Sequence, residues 1–338
     1  LYDKPKSHAE AGSPGKNLLV MPPNRWQHRI EQMATEPSLT SVHSFWNTEA
    51  CDAHVVEHAV DDIDFFTRFR EQRYRTQWHL PLLVPFADAR GRKVLEIGIG
   101  NGADGAMFAL NGADYTGADL TEAALEATRR HFEVLGLSGT FRKENAECLG
   151  FGDETFDIVY SHGVLHHTPH TQKAIDEVYR VLKPSGRAII MLYHKHSFNY
   201  YVRIMTWMRL RVLLTIALHL GRRKMAGEAH VLSGVRGNQD ARVWEIHYLN
   251  FLKEGWNYLR AKNFIHHCTD GPECPIAYAF SKSDAHKLFR AFFELRTKVA
   301  HFPLNRYSRW LPFALERLLA SRIGWYLFVF ATKAHQPL

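Results

Sequence analysis

The residues best suited to chemistry begin in one short stretch, Lys93-Val94-Leu95-Glu96-Ile97-Gly98-Ile99-Gly100-Asn101-Gly102. An apolar run carries a single acid, breaks into glycines and reads on into a helical pattern. Such a stretch is a buried strand that delivers a glycine turn to a helix N-terminus, where a nucleotide-like ligand can lie close to the backbone. Gly100-Asn101-Gly102-Ala103-Asp104-Gly105 matches G-x-G-x-x-G, and Asp119 falls about where a ribose-binding acid would sit. The glycines alone would serve a dinucleotide equally well. Glu96 separates the two cases, because a pyrophosphate beside it would meet an extra negative charge. S-adenosylmethionine has no phosphate and carries a sulfonium and an α-amino group, so Glu96 favours it as the cofactor.

The histidines form the second chemical set. There are 21 in the chain. His166 and His167 follow the fourth expected strand, and His194 and His196 follow the fifth. In doubly wound sheets ligands bind at the carboxyl ends of strands, so these rings can converge on a transferred group. An acceptor hydroxyl, amine or acidic carbon has to lose a proton, and histidine titrates near neutrality. His166 or His194 is therefore expected as the general base, with Tyr193 orienting the acceptor. The competing expectation makes His167 a structural residue of its loop and His196 a helix cap. His194-x-His196 with His266, His267 and Cys268 would supply enough ligands for a metal. No structural zinc spacing is present, however, and Cys268-x5-Cys274 is too long, so no metal is expected.

These groups require a regular scaffold. Strands are expected at Lys93–Gly98, Asp114–Asp119, Thr140–Lys143, Phe156–Ser161 and Arg187–Tyr193. Helices run from about Gly102 to Asn111, from a Thr121 cap to near Gly136, and from Thr171 to Leu182, where Lys183-Pro184-Ser185-Gly186 ends the last. That alternation implies a parallel sheet with helices on both faces. Ahead of it, residues 1–24 read as a flexible arm and 25–90 as an aromatic helical leader, whose clearest helix begins at Asp61 or Asp62. The leader either packs on the core or acts as a lid, with Arg73 or Tyr74 near the polar end of the ligand. The core occupies 91–194, and an inserted, substrate-facing cap occupies 195–280. Residues 281–338 close the sheet with a helix over Ser283–Phe293 and strands at Leu295–Phe302 and Trp325–Thr332.

The net charge of +7 is concentrated. Between Lys195 and Lys262 twelve Lys/Arg face four Asp/Glu, an excess of 12 − 4 = +8. The cations are interleaved with Leu, Ile, Val, Trp and Met, and no RNA-binding module is recognisable. Basic and apolar together fit an anionic or amphipathic small molecule, or peripheral contact with a membrane surface, and no nucleic acid is expected. Arg211, Thr215, His219 and Arg222 recur at i+4, i+4 and i+3, a polar stripe on an otherwise apolar helix. No run of about 18 uncharged apolar residues would span a membrane. The scattered Cys51, Cys148, Cys268 and Cys274 suit a reducing compartment, so a cytoplasmic location is expected. The chain opens on Leu1 in place of methionine, which leaves room for a segment processed away ahead of it.

With those residues in place a family resemblance is plain. Val94–Gly102 and Tyr115-Thr116-Gly117-Ala118-Asp119-Leu120-Thr121 resemble motifs I and II of class I S-adenosylmethionine-dependent methyltransferases. The likeness continues through Asn145-Ala146-Glu147-Cys148-Leu149-Gly150-Phe151, Phe156-Asp157-Ile158-Val159-Tyr160-Ser161 and Gly163-Val164-Leu165-His166-His167-Thr168-Pro169 to Arg180-Val181-Leu182-Lys183-Pro184-Ser185-Gly186. As an ordered set it is similar to the type 11 branch, which includes the ubiquinone- and menaquinone-biosynthesis enzymes. It covers about residues 90–195. The resemblance implies that Glu96, Gly98, Gly100, Asn101 and Gly102 surround the methionine moiety and ribose. Asp119 would bind the ribose hydroxyls and Leu120 the adenine, with Ala146 and Glu147 beside it and Ser161 and His162 at the end of strand four. Asn145 stands where the family usually has Asp, and its carbonyl can still accept from the adenine amino group.

The fold expected is α/β, a Rossmann-like, doubly wound, seven-stranded mixed sheet with the last strand antiparallel. The reaction expected is in-line SN2 methyl transfer to an oxygen, nitrogen or carbon of a small biosynthetic molecule, driven mostly by alignment. The chain after strand four, Ser161-His162-Gly163-Val164, lacks the Asn/Asp-Pro-Pro-aromatic signature of amino-methylating enzymes, and no Pro-Cys nucleophile follows. The rival readings are an NAD-dependent oxidoreductase and a non-catalytic S-adenosylmethionine-binding protein associated with membrane or RNA.

Overall fold

A computed structural model describes residues 38–48, 62–225, 239–304, 310 and 312–335. The expected arm at 1–24 lies outside them, as do Cys51 and parts of the leader and the cap. Two leader helices, α1 (Leu39–Thr48) and α2 (Asp62–Thr76), precede the sheet. Its strands are β1 (Lys93–Ile97), β2 (Asp114–Asp119), β3 (Thr140–Lys143), β4 (Phe156–His162), β5 (Leu182–His194), β6 (Ala279–Phe280), β7 (Glu294–Ala300) and β8 (Tyr326–Thr332).

The order is β3-β2-β1-β4-β5-β8-β7, with β6 paired to β5. β1 to β5 run parallel, and β8 is antiparallel to both β5 and β7. The order reverses between β1 and β4, where a crevice opens at the strand ends. Alternation along the strands explains the two-sided core: Val94, Ile158 and Ile189 belong to one buried cluster, and their neighbours Leu95, Val159 and Ile190 to the other. Helices α3 (Ala103–Leu110), α4 (Glu122–Val134) and α5 (Thr171–Val181) connect the first strands. Thr121 caps α4 as expected, its hydroxyl accepting from the Ala124 N–H at 3.3 Å. In α5 the buried residues Ala174, Ile175, Val178 and Val181 repeat at helical spacing.

Four features depart from expectation. The sheet has an eighth strand, the two-residue β6, which adds to the end of β5 and was too short to carry a pattern. β5 begins at Leu182 instead of Arg187. Leu182 pairs with Phe156 and Arg187 with Ile158, so Lys183-Pro184-Ser185-Gly186 is extruded as a bulge, with Ser185 at φ +61°. A bulge accommodates a proline that has no N–H to give the ladder. The tail holds a helix, Phe313–Ile323, whose weak burial (Ala320 alone is buried) left little periodicity to read.

The fourth departure lies in the cap. A π-helical stretch, Asn199–Met208, runs into α6 (Arg209–Met225), which lies beside α7 (Gln239–Glu254). Two members of the polar stripe, Arg211 and His219, reach α7, although Arg211 stays exposed. His219 Nε2 lies 3.2 Å from Glu245, and the Arg211 guanidinium stacks 4.7 Å from the Trp244 ring centroid. Among the described residues no helix is long and apolar enough to cross a membrane.

Candidate functional site

A cavity of about 270 Å³ opens where β1, β2, β4 and β5 end. Leu39, Val42, Trp46, Phe69, Arg73 and Gln77 from α1, α2 and the turn after them form one wall, and Asp270 from the chain leading to β6 forms another. The glycine turn is built for close approach. Gly98 has φ +79°, and a Cβ there would lie 2.1 Å from Val164 Cγ2. Gly100 has φ +52° with nothing within 4 Å of where its Cβ would be. Any side chain at Gly100 would be strained and would take up room at the cavity edge.

Asp119 braces this turn from β2. Its carboxylate accepts from the Ile99 N–H (2.9 Å), the Thr121 N–H (2.9 Å) and the Thr121 hydroxyl (2.8 Å). Glu96, 3% exposed, accepts from the Tyr115 hydroxyl at 2.6 Å. Burial raises its pKa well above the ordinary carboxyl value, and the nearby Asp104 charge adds to the rise. Asp104 shows the opposite outcome. Burial alone would push it up, but the Arg73 guanidinium, which grips both its oxygens, holds it well below the usual range. Tyr74 and Tyr160 also donate to Asp104, at 2.9 and 2.7 Å. Arg73 lines the cavity and Tyr74 does not, and the polar groups of both are committed to Asp104.

Of the residues expected around a cofactor, Glu96, Gly98, Gly100, Asn101, Asp119, Leu120, Asn145, Ala146 and His162 line the cavity. Gly102, Glu147 and Ser161 do not. Gly102 backs onto Thr128 of α4, 2.7 Å from where a Cβ would stand. Glu147 turns away to accept the His170 N–H at 2.7 Å, and Ser161, fully buried, donates to the Ile97 carbonyl at 2.8 Å. The expected bases are also corrected. Tyr193 lines the cavity, but its neighbour His194 points to the opposite face of β5, where Nδ1 lies 3.1 Å from the Gly324 carbonyl. His166 is fully buried behind Tyr193, ring centroids 3.8 Å apart, and burial drives its pKa well down.

Of His166, His167, His194 and His196, the one whose ring reaches the cavity is His167. Its Nδ1 lies 2.6 Å from the Ile276 carbonyl and must donate there, which leaves Nε2 facing Asp270 at 3.4 Å. Tyr193 donates to both Asp270 oxygens, at 3.0 and 3.1 Å. Trp46 of α1 packs its ring 5.0 Å from that of His167. Asp270 had no sequence signal beyond its Gly/Pro-rich turn, because 77 positions separate it from Tyr193. His167, Asp270 and Cys274 also bring three potential metal-ligand atoms within 4.8 Å of one another. The Cys274 thiol, pushed up by burial, donates to the Ile276 carbonyl at 3.4 Å.

Strand order, glycine turn, bracing acid and strand-end cavity together are those of a doubly wound α/β sheet with a nucleotide-type ligand site at its strand ends. Residues 95–190 match a family model described as a methyltransferase domain. A phthiotriol/phenolphthiotriol dimycocerosates methyltransferase of Mycobacterium tuberculosis is 37% identical over 101 residues, covering 29% of this chain and 37% of the relative. A ubiquinone biosynthesis O-methyltransferase of Pseudomonas putida is 33% identical over 129 residues, covering 37% of this chain and 56% of the relative. The chain thus spans about a third to a half of the length of these relatives. Among solved structures, a magnesium protoporphyrin IX methyltransferase of Synechocystis with bound SAH aligns at 16% identity over 88% of this chain and 100% of its own, with a TM-score of 0.47.

Proposed function

We propose that the protein transfers the sulfonium methyl of S-adenosylmethionine to a small molecule, anionic or amphipathic, held beside His167, Asp270 and Tyr193. The observation that carries this reading is the charge of the cavity wall. Asp119, Glu144 and Asp270 line it, with Glu96 pushed toward its neutral form by burial and Asp104 offset by Arg73, the one Lys or Arg among the described lining residues. Arg73 is itself spent on Asp104. A pyrophosphate would enter a field of its own sign, whereas a sulfonium and an α-amino group are complementary to it. That is the physical argument against a nicotinamide dinucleotide.

The residues present fit the cofactor. Glu96 stands buried at the turn, where a cationic ligand would lower the cost of its ionisation. Gly100 offers backbone without a side chain, and Asp119, braced by Ile99 and Thr121, lines the cavity beside that turn, where a ribose would lie. The bound cofactor supplies an activated methyl group. The chain holds the acceptor in line with it and shields both from water. His167 Nε2 takes the acceptor proton, and the imidazolium so formed faces the Asp270 carboxylate. Tyr193 fixes Asp270 for that role.

Calorimetric titration with S-adenosylmethionine and with NAD tests the reading; tight NAD binding without S-adenosylmethionine binding would overturn it. Asp119→Ala is expected to weaken S-adenosylmethionine by roughly 100-fold or more, since it removes charged hydrogen bonds and unbraces the turn. Unchanged affinity by the same calorimetry removes Asp119 from the site. His167→Ala is expected to hold cofactor affinity within about twofold while turnover, followed as release of the demethylated cofactor across a panel of phenolic and amphipathic acceptors, falls about 10²-fold or more. Wild-type turnover in that variant rules His167 out as the base.

A further inference from the structure

The helical stretch from Asn199 to Met225 is apolar on two faces. The inner face repeats every fourth residue as Tyr200, Ile204, Met208, Val212 and Ile216, none more than 8% exposed. The outer face runs Trp207, Leu210, Leu214 and Leu218 at i+3, i+4 and i+4. These residues are 50%, 64%, 58% and 56% exposed. Beside it, α7 and the turn that follows leave Leu249, Leu252 and Trp256 in solvent, the last 70% exposed. A contiguous run of large apolar side chains in water marks a docking surface, whereas singly scattered ones do not.

Charge identifies what docks. From Asn199 to Met225 the chain has no Asp or Glu and six Lys/Arg; Arg203 and Arg209 donate inward to the Cys268 and Leu259 carbonyls, which leaves Arg211 beside the outer face and Arg222, Arg223 and Lys224 following it in the sequence. A second copy of the same face across a two-fold axis would set like charges against each other. An anionic lipid surface has the complementary sign, and its acyl boundary accepts the leucines. The stretch would lie on a bilayer and not cross it. Trp207 sits at the junction, its ring 5.7 Å from Trp244 with the Arg211 guanidinium 5.6 Å from its centroid. Paired Trp and Arg suit the headgroup level, where an aromatic body meets acyl chains and a cation meets phosphate.

We propose that the Trp207–Leu218 face of the cap is a membrane-docking surface for anionic phospholipid. The same inserted segment supplies Asp270 to the cavity, so docking presents the site to an amphipathic acceptor at the lipid boundary. The proposal rests on the methyl-transfer reading for that last consequence only.

Flotation of the full chain with phosphatidylcholine vesicles, with and without about a third phosphatidylglycerol, tests the surface. Binding is expected to the anionic vesicles, at least about 10-fold tighter than to the neutral ones and weakened by about 0.5 M salt. Leu210→Glu with Leu214→Glu is expected to lower it by about 10-fold or more, with S-adenosylmethionine affinity by calorimetry unchanged. If that variant no longer unfolds cooperatively, Leu210→Asn with Leu214→Asn is judged by the same criterion. Absence of flotation overturns the proposal, and so does undiminished binding by a folded variant. A light-scattering dimer that the variant splits overturns it too, since the face would then join two copies. A chain that binds S-adenosylmethionine but no vesicles refutes docking alone; one that floats but binds no S-adenosylmethionine refutes methyl transfer alone.

Discussion

Asp104→Ala is expected to destabilise the protein by about 3–5 kcal/mol, the cost of leaving a buried charge without its partner. Asp104 is 2% exposed, and Arg73, Tyr74 and Tyr160 all donate to it. Alanine would leave a guanidinium and two hydroxyls inside the protein without that acceptor. The damage also reaches the cavity, because Arg73 ties α2 to the first turn of α3 and both residues form the wall. Cofactor affinity should therefore fall along with stability. Equilibrium unfolding in urea measures the first effect and calorimetry the second. A loss below about 1 kcal/mol would show that the knot contributes no more than an exposed pair. Joint replacement by apolar residues, Arg73→Met with Asp104→Leu, is expected to recover much of the stability, since it leaves no lone charge behind.

Mild acid is expected to unfold the protein by way of its buried histidines. Burial pushes His79 down to about 2, His162 and His267 to about 3, and His247 to about 4. The unfolded chain binds protons on these rings near pH 6.5, while the folded chain does not until far lower. Their stabilising contribution is therefore fully present above pH 6.5 and is lost as pH falls below it. Each approaches a slope of about 1.4 kcal/mol per pH unit, so four together lose on the order of 4 kcal/mol between pH 6.5 and 5.5. That is comparable to the whole stability of many domains. Glu96 works in the opposite sense: burial raises it, so the folded state gains its proton first as pH falls and offsets part of the loss. Urea midpoints at pH 7, 6 and 5.5 should fall steadily, whereas a flat profile would mean that these rings are already charged in the folded protein.

What the amino-acid sequence determined by itself was everything set by near neighbours. The turn Gly98–Gly102 follows from the need for positive φ, the Thr121 cap from a hydroxyl placed three residues before an orphan N–H, and β1 to β4 from short runs alternating with helical stretches. The same locality made Glu96 and Asp119 legible, because both stand at fixed offsets from the glycines on adjacent strands. The choice among the histidines was not local. His166 and His167 are adjacent and chemically identical, and only the carbonyl of Ile276, brought in by the chain before β6, turns one ring to the cavity and leaves the other behind Tyr193. Asp270 enters the site by the same long connection. The outward face of the cap was equally hidden. A polar stripe on an otherwise apolar helix does not say which apolar face the rest of the chain covers; that depends on packing, and here Glu245 and Trp244 of α7 meet His219 and Arg211. Tertiary structure decided these features because burial is a property of what arrives from far along the chain.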